Sequence, residues 1–180
     1  MKRLKLIAYL CAAMNDKLNR MLELVGDFFD VKNDPEQLSI TDEVMNKLHA
    51  IHPSTMSEYN EGDGPIVWIL LIPVREATMN CFLKGDISET QLFEETSPRE
   101  KYDAVYLCSA SVLQEYRGKG LAKKLTVDSI NEISKQHSIK TLFYWPFSKE
   151  GTSLAESIAK KVNLPLYTRE SSSTSYAAKL

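Results

Sequence analysis

One stretch constrains the fold more than any other: Val112-Leu113-Gln114-Glu115-Tyr116-Arg117-Gly118-Lys119-Gly120-Leu121-Ala122. An apolar, strand-like run over Ala104–Leu113 leads into it. A helical pattern over Gly120–Ser134 follows at once, with Leu121, Leu125, Ile130 and Ile133 along its apolar side. Gly118 and Gly120 let backbone approach a ligand without Cβ obstruction. The first N–H groups of a helix have no intrahelical acceptor, and the helix dipole adds partial positive charge there. Arg117 and Lys119 add two full charges to the same loop. These residue types in this order predict an anion site for phosphate or pyrophosphate at the C-terminal end of the strand.

Spacing narrows the ligand. The segment contains neither GxxxxGK[ST] nor GxGxxG, so the two common nucleotide loops are absent. What it contains is Arg117-x-x-Gly120-x-Ala122, preceded by Val112 and Tyr116. This resembles the acetyl-CoA pyrophosphate loop of the GNAT superfamily of N-acetyltransferases, commonly written [Q/R]-x-x-G-x-[G/A]. The resemblance covers residues 105–134, and strand, helix and strand then follow in the order of that superfamily over 139–168.

The resemblance implies a set of roles. The backbone of Ala110, Ser111 and Val112 would pair with the pantetheine arm as an added strand, and the Val112 N–H would polarise the thioester carbonyl. The backbone of Arg117, Gly118, Lys119, Gly120, Leu121 and Ala122 would hold the pyrophosphate. The cosubstrate would be acetyl-CoA, the reaction direct transfer of the acetyl group to an amine, small molecule or peptide. Such a reaction needs a base for the ammonium, a donor for the oxyanion and an acid for the thiolate. The superfamily often carries Asn-x-x-Ala-x-x-x-Tyr on the later helix, and here those positions hold Thr152, Ala155 and Ala159. Thr152 can still hydrogen-bond pantetheine, whereas Ala159 cannot act as an acid. Tyr144, Tyr167 or a water could take that place, though ordinary packing also accounts for both tyrosines. No acidic residue lies within Tyr106–Val112, so the base and acid stay unassigned.

The rest of the chain reads as mixed α/β. Residues 3–30 carry one or two amphipathic helices, and Pro35 lies in a polar connection. Thr41 is a suitable N-cap for a helix over Asp42–Ile51 that His52-Pro53 stops. Glu58–Pro65 reads as an acidic loop and Ile66–Val74 as a strand. Arg75–Leu83 and Ser88–Glu95 read as short helices, the second capped by Asp86 or Ser88. Thr141–Phe147 reads as a strand, Thr152–Lys161 as a helix, Leu164–Thr168 as a strand and Tyr176–Leu180 as a further strand. The expected architecture is one GNAT-like α/β domain over 1–180, with a central mixed sheet flanked by helices and a helical N-terminal region. Residues 1–100 would form the acceptor side and 101–180 the acetyl-CoA-binding core.

Bulk properties exclude some classes. With 22 basic and 24 acidic side chains the net charge is −2, so the basic excess of a nucleic-acid binder is missing. The apolar run Ile66–Val74 is too short for a membrane helix. Lys2, Arg3 and Lys5 before Leu6–Met14 superficially resemble a signal peptide, but the pattern continues through Leu18, Met21, Leu22 and Val25 as a helix, which favours a cytoplasmic setting. Leucine- and methionine-rich helices at the start suit a homodimer. Cys11, Cys81 and Cys108 are scattered among apolar neighbours and read as small buried hydrophobes; Cys108 is the one with any case as a nucleophile.

Two further clusters are candidate sites. His49 and His52 share a helix-face spacing suited to a metal, but Pro53 breaks the helix and surface histidines explain them better, so no metal is expected. Glu58, Glu61 and Asp63 would attract a cationic amine or simply be solvated. Three functions follow: an acyltransferase, an acyl-CoA-binding or regulatory module of the same fold with reduced chemistry, and an interaction domain binding no nucleotide.

Overall fold

The computed structural model describes residues 16–25, 38, 41–62 and 64–169. The terminal segment 176–180, Cys11, Pro35 and Asp63 lie outside the described residues. Helix α1 covers 16–25. There follow α2 (Asp42–Ile51), β1 (Met56–Asn60), β2 (Pro65–Val74), α3 (Glu76–Lys84), α4 (Glu89–Glu95) and β3 (Ala104–Val112). A 3-10 turn (Gln114–Tyr116) leads to α5 (Leu121–Ser134), β4 (Thr141–Tyr144), α6 (Lys149–Val162) and β5 (Leu166–Thr168).

The five strands form one mixed sheet in the order β1-β2-β3-β4-β5. β1, β2 and β3 are antiparallel neighbours, whereas β4 and β5 add in parallel. β2 is apolar from end to end, because it lies centrally and both faces are covered. Leu70, Ile72 and Val74 face α2, α3 and α4 across a core with Leu48, Phe82, Leu92 and Tyr106. Val67, Ile69 and Leu71 face α1, α5 and α6 across a second core with Met21, Ile130, Ile133 and Ile158. Parallel pairing requires crossovers, and α5 and α6 supply them on a single face.

Local chemistry sets the boundaries. Thr41 caps α2 by accepting from the Val44 N–H, as its sequence predicts. Ser88, not Asp86, caps α4, in a reciprocal capping box with Gln91. Three expectations change. Glu58 lies on β1 rather than in an acidic loop, where its carboxylate accepts from Trp68 Nε1 at 3.0 Å and from Asn60 Nδ2 at 2.8 Å. β4 stops at Tyr144 instead of Phe147, because Pro146 has no N–H to continue a ladder. α6 starts at Lys149 instead of Thr152, because the Ser148 hydroxyl accepts from Gly151 N–H and caps the helix there.

Side-chain placement corrects others. On α5, Ala122, Thr126, Ser129, Ile130 and Ile133 are buried, while Leu121 and Leu125 are half-buried at its margin. Cys81 is exposed on α3 rather than buried. His52 is buried and its Nδ1 accepts from Ser54 N–H, while His49 on the preceding turn is exposed. The two therefore do not form a common surface face. Among the described residues no helix is long and apolar enough to cross a membrane, and no group of three or more His, Cys, Asp or Glu side chains is placed to hold a metal.

Candidate functional site

The site arises where the sheet splits. The parallel ladder joins Ala104, Val105 and Tyr106 to Thr141, Leu142 and Phe143, and goes no further. β3 nevertheless continues through Leu107 to Val112, still paired on its other side with β2. Its β4-facing edge is thus open over the second half of the strand. A cavity of about 710 Å³ occupies the split, walled by Leu107–Val112 on one side and by Tyr144–Ser148 on the other. The N-terminus of α5 closes one end with Arg117, Gly118, Gly120, Leu121 and Ala122.

Backbone geometry prepares that end for an anion. Gly118 and Gly120 have φ of +73° and +72°, a left-handed conformation that costs a residue with Cβ about 1–2 kcal/mol. Among the described residues a Cβ at either position would meet nothing within 4 Å, so the glycines serve the turn rather than a close contact. Gly120 is the N-cap of α5 and supplies no side-chain acceptor, and the first turn holds no acidic residue. The leading N–H groups, at the end of α5 that closes the cavity, have no competing side-chain cap or carboxylate in their own turn. Arg117 Nε donates to the Val112 carbonyl at 3.1 Å, which ties the loop back to the strand. Lys119 sits with its ammonium 4.8 Å from the Tyr116 ring centroid.

Of the residues singled out from sequence, Ala110, Ser111, Val112, Arg117, Gly118, Gly120, Leu121 and Ala122 all line this one cavity. Lys119 and Thr152 lie off its wall, and Glu150, Gly151 and Leu154 of α6 stand there instead. Tyr144 lines the cavity and is buried, while Tyr167 is half exposed on β5. Ala159 is buried in the core against the sheet, away from the cavity wall.

One group was not visible from sequence. Glu89, in the first turn of α4, is buried with 3% of its surface exposed. Its Oε2 accepts from the Leu38 N–H at 2.7 Å, and its Oε1 from the Tyr106 hydroxyl at 2.8 Å and the Cys108 thiol at 3.4 Å. Burial holds its carboxyl above the usual carboxylate range, opposed by these hydrogen bonds and by Arg169. Burial, with the Glu89 charge added, pushes the Cys108 thiol well up, so it is a poor nucleophile. Cys108 is also the extra residue of a β-bulge: Leu70 pairs with Ser109 and Leu71 with Leu107, and Cys108 has no partner between them. Tyr106 and Cys108 share the two-residue alternation of β3, but Glu89 stands 17 and 19 residues away from them, and no local spacing in the sequence marks it.

No protein-family model matches the sequence, and no curated protein matches it. Two solved structures are similar. An aminoglycoside acetyltransferase from an uncultured soil metagenomic sample, in complex with trehalose, aligns with TM-score 0.47 and 13% identity, over 93% of this chain and 91% of that one. A ribosomal-protein-alanine N-acetyltransferase from Brucella melitensis biovar Abortus 2308 aligns with TM-score 0.42 and 14% identity, over 93% and 94%. Likenesses this loose leave the chemistry to be read from the chain's own site.

Proposed function

We propose that the protein is a GNAT-type acyltransferase that moves an acetyl group from acetyl-CoA directly to an amine of a small molecule or peptide. The observation that carries this reading is the open β4-facing edge of β3 running straight into the uncapped N-terminus of α5. An extended arm bearing amides can add to such an edge as a strand, and a pyrophosphate suits the helix end. Both features bound one cavity, so one ligand can use both. CoA has this construction: a pyrophosphate, then an amide-bearing pantetheine arm, then a thioester.

Within this reading Ala110, Ser111 and Val112 pair with pantetheine, and Arg117 through Ala122 hold the pyrophosphate, with Lys119 contributing charge from the outer side of the loop. Thr152 is left to the helix rather than the cavity wall. Catalysis draws on holding the amine and the thioester together, which removes much of the entropic barrier. Tyr144, buried on the opposite wall, is the side chain available to protonate the departing thiolate. Ala159, at the position where the resemblance implies a tyrosine, favours a second reading in which the protein binds acyl-CoA with reduced chemistry.

Thermal unfolding with and without acetyl-CoA tests the cofactor. A ligand at about a hundred times its Kd adds roughly 2.7 kcal/mol. For a chain of this length that is a rise of about 5–10 °C in Tm. Gly120→Glu should abolish the rise, because it sets a carboxylate against the pyrophosphate. An unchanged Tm at saturating acetyl-CoA would overturn the reading. A rise without CoA release in the presence of any amine would select the binding module.

A further inference from the structure

We infer that Glu89 accepts, through the thiol of Cys108, the proton that the attacking amine must lose. The inference rests on the transfer reaction proposed above. Three observations carry it. Glu89 is a buried carboxylate on α4, on the face of the sheet opposite α5 and α6. Cys108 touches both sides of the problem: its Sγ lies 3.4 Å from Glu89 Oε1, and it lines the cavity. The bulge in β3 falls at Cys108, which frees that residue from the β2 ladder where the two regions meet.

The proton count is simple. The amine arrives as an ammonium. One N–H proton passes to Sγ as the Sγ proton passes to Oε1, so Cys108 remains a thiol and Glu89 becomes neutral. The freed nitrogen lone pair bonds to the thioester carbon. When the C–S bond breaks, Tyr144 gives its hydroxyl proton to the CoA sulfur and takes the second N–H proton from the nitrogen, so the amide remains and Tyr144 is restored. Glu89 then returns its proton to solvent. No oxidant, metal or covalent enzyme intermediate is required.

The groups facing Glu89 make it suitable. Tyr106 and Cys108 reach it from β3, the Leu38 N–H from the segment before α2, and Arg169 acts on it from just beyond β5. Burial outweighs these influences and raises its proton affinity, bringing it closer to that of the proton it must take. Tyr106 is fully buried and does not line the cavity, so it orients the carboxylate and leaves Cys108 as the way in.

The test is the pH profile of CoA release with ethylamine, spermidine and lysine methyl ester as probe amines. Glu89→Gln should lower kcat by about 100-fold and remove the acid limb, while the Tm rise with acetyl-CoA stays intact. Cys108→Ala should behave likewise, and Cys108→Ser, which keeps an O–H between the same partners, should recover much of the loss. Wild-type kcat and acid limb in Glu89→Gln would overturn the proposal and leave the acyltransferase reading standing. Loss of the acetyl-CoA Tm rise in the wild-type protein would overturn both. If no probe amine turns over, alkylation of Cys108 by iodoacetamide in a Cys11→Ser, Cys81→Ser background decides. Acetyl-CoA should protect Cys108. Glu89→Gln should move its reactivity to lower pH, raising the alkylation rate at a fixed, mildly alkaline pH by about tenfold. A profile unchanged by Glu89→Gln would sink the relay.

Discussion

Arg117 Nε donates to the Val112 carbonyl at 3.1 Å, so the first charged residue of the glycine loop is anchored to the last residue of β3. The anchor uses Nε, and Arg117 also lines the cavity mouth. A hydrogen bond to a charged partner contributes roughly 1.5–3 kcal/mol. Arg117→Ala should therefore weaken acetyl-CoA binding by about 10- to 100-fold in calorimetric titration. Arg117→Lys should recover little, because a lysine has no second nitrogen with which to hold the strand. Equal affinity in wild type and Arg117→Ala would remove the arginine from the site.

Gly120 separates turn strain from ligand contact. Its φ of +72° is left-handed, yet among the described residues a Cβ there meets nothing within 4 Å. Gly120→Ala should fold, with stability lower by about 1–2 kcal/mol in urea unfolding. An unaltered urea midpoint would mean that the left-handed turn is not retained.

Trp145 offers an optical reporter. It lines the cavity, and its ring lies 4.4 Å from the Arg169 guanidinium and 4.7 Å from the Phe147 ring. In a Trp68→Phe background, acetyl-CoA should change the remaining indole emission with the same midpoint as the calorimetric titration. A silent indole alongside measurable binding would place the ligand away from the β4 wall.

His52 and His137 predict an acid-sensitive fold. Burial lowers both of their pKa values, with the Lys101 charge and then the His52 ring adding to the depression at His137. Among the described residues the buried His52 Nε2 has no hydrogen-bond partner, and its ring centroid lies 6.2 Å from that of His137. The unfolded chain takes up these protons first, near an ordinary histidine value of about 6.5. Their contribution is present in full above that value and is lost as pH falls through the lower folded-state values. Tm should be level on the neutral side and decline below roughly pH 6.5. His52→Gln should flatten the decline; a wild-type Tm that is level across this window would contradict the assignment.

The aromatic cluster behind the site should dominate stability. Phe82 is fully buried, with ring centroids of Tyr106, Phe143 and Trp145 at 5.0, 5.9 and 6.2 Å and the Arg169 guanidinium at 4.4 Å. Phe82→Ala should cost about 3–5 kcal/mol in urea unfolding. A cost below about 1 kcal/mol would mean that the neighbouring rings collapse into the space.

What the sequence determined by itself was local. The apolar run of β2, the Thr41 cap, and the order of β3, glycine turn and α5 all depend on neighbours within a few residues, and each forms where its pattern lies. The residues at the end of β3 and in the loop could be picked out for the same reason, since backbone conformation and helix-end N–H groups are set by adjacent positions. Tertiary structure decided the rest. The split between β3 and β4 exists because Pro146 and the Ser148 cap end β4 early, while β2 holds β3 extended from its other side. No periodicity reveals such a mismatch between two strands. Glu89 meets Tyr106 and Cys108 across 17 and 19 residues, because α4 packs on the opposite face of the sheet from α5 and α6. In sequence it is one of 24 acidic residues; burial and the donors Leu38 N–H, Tyr106 and Cys108, all brought by the fold, make it different.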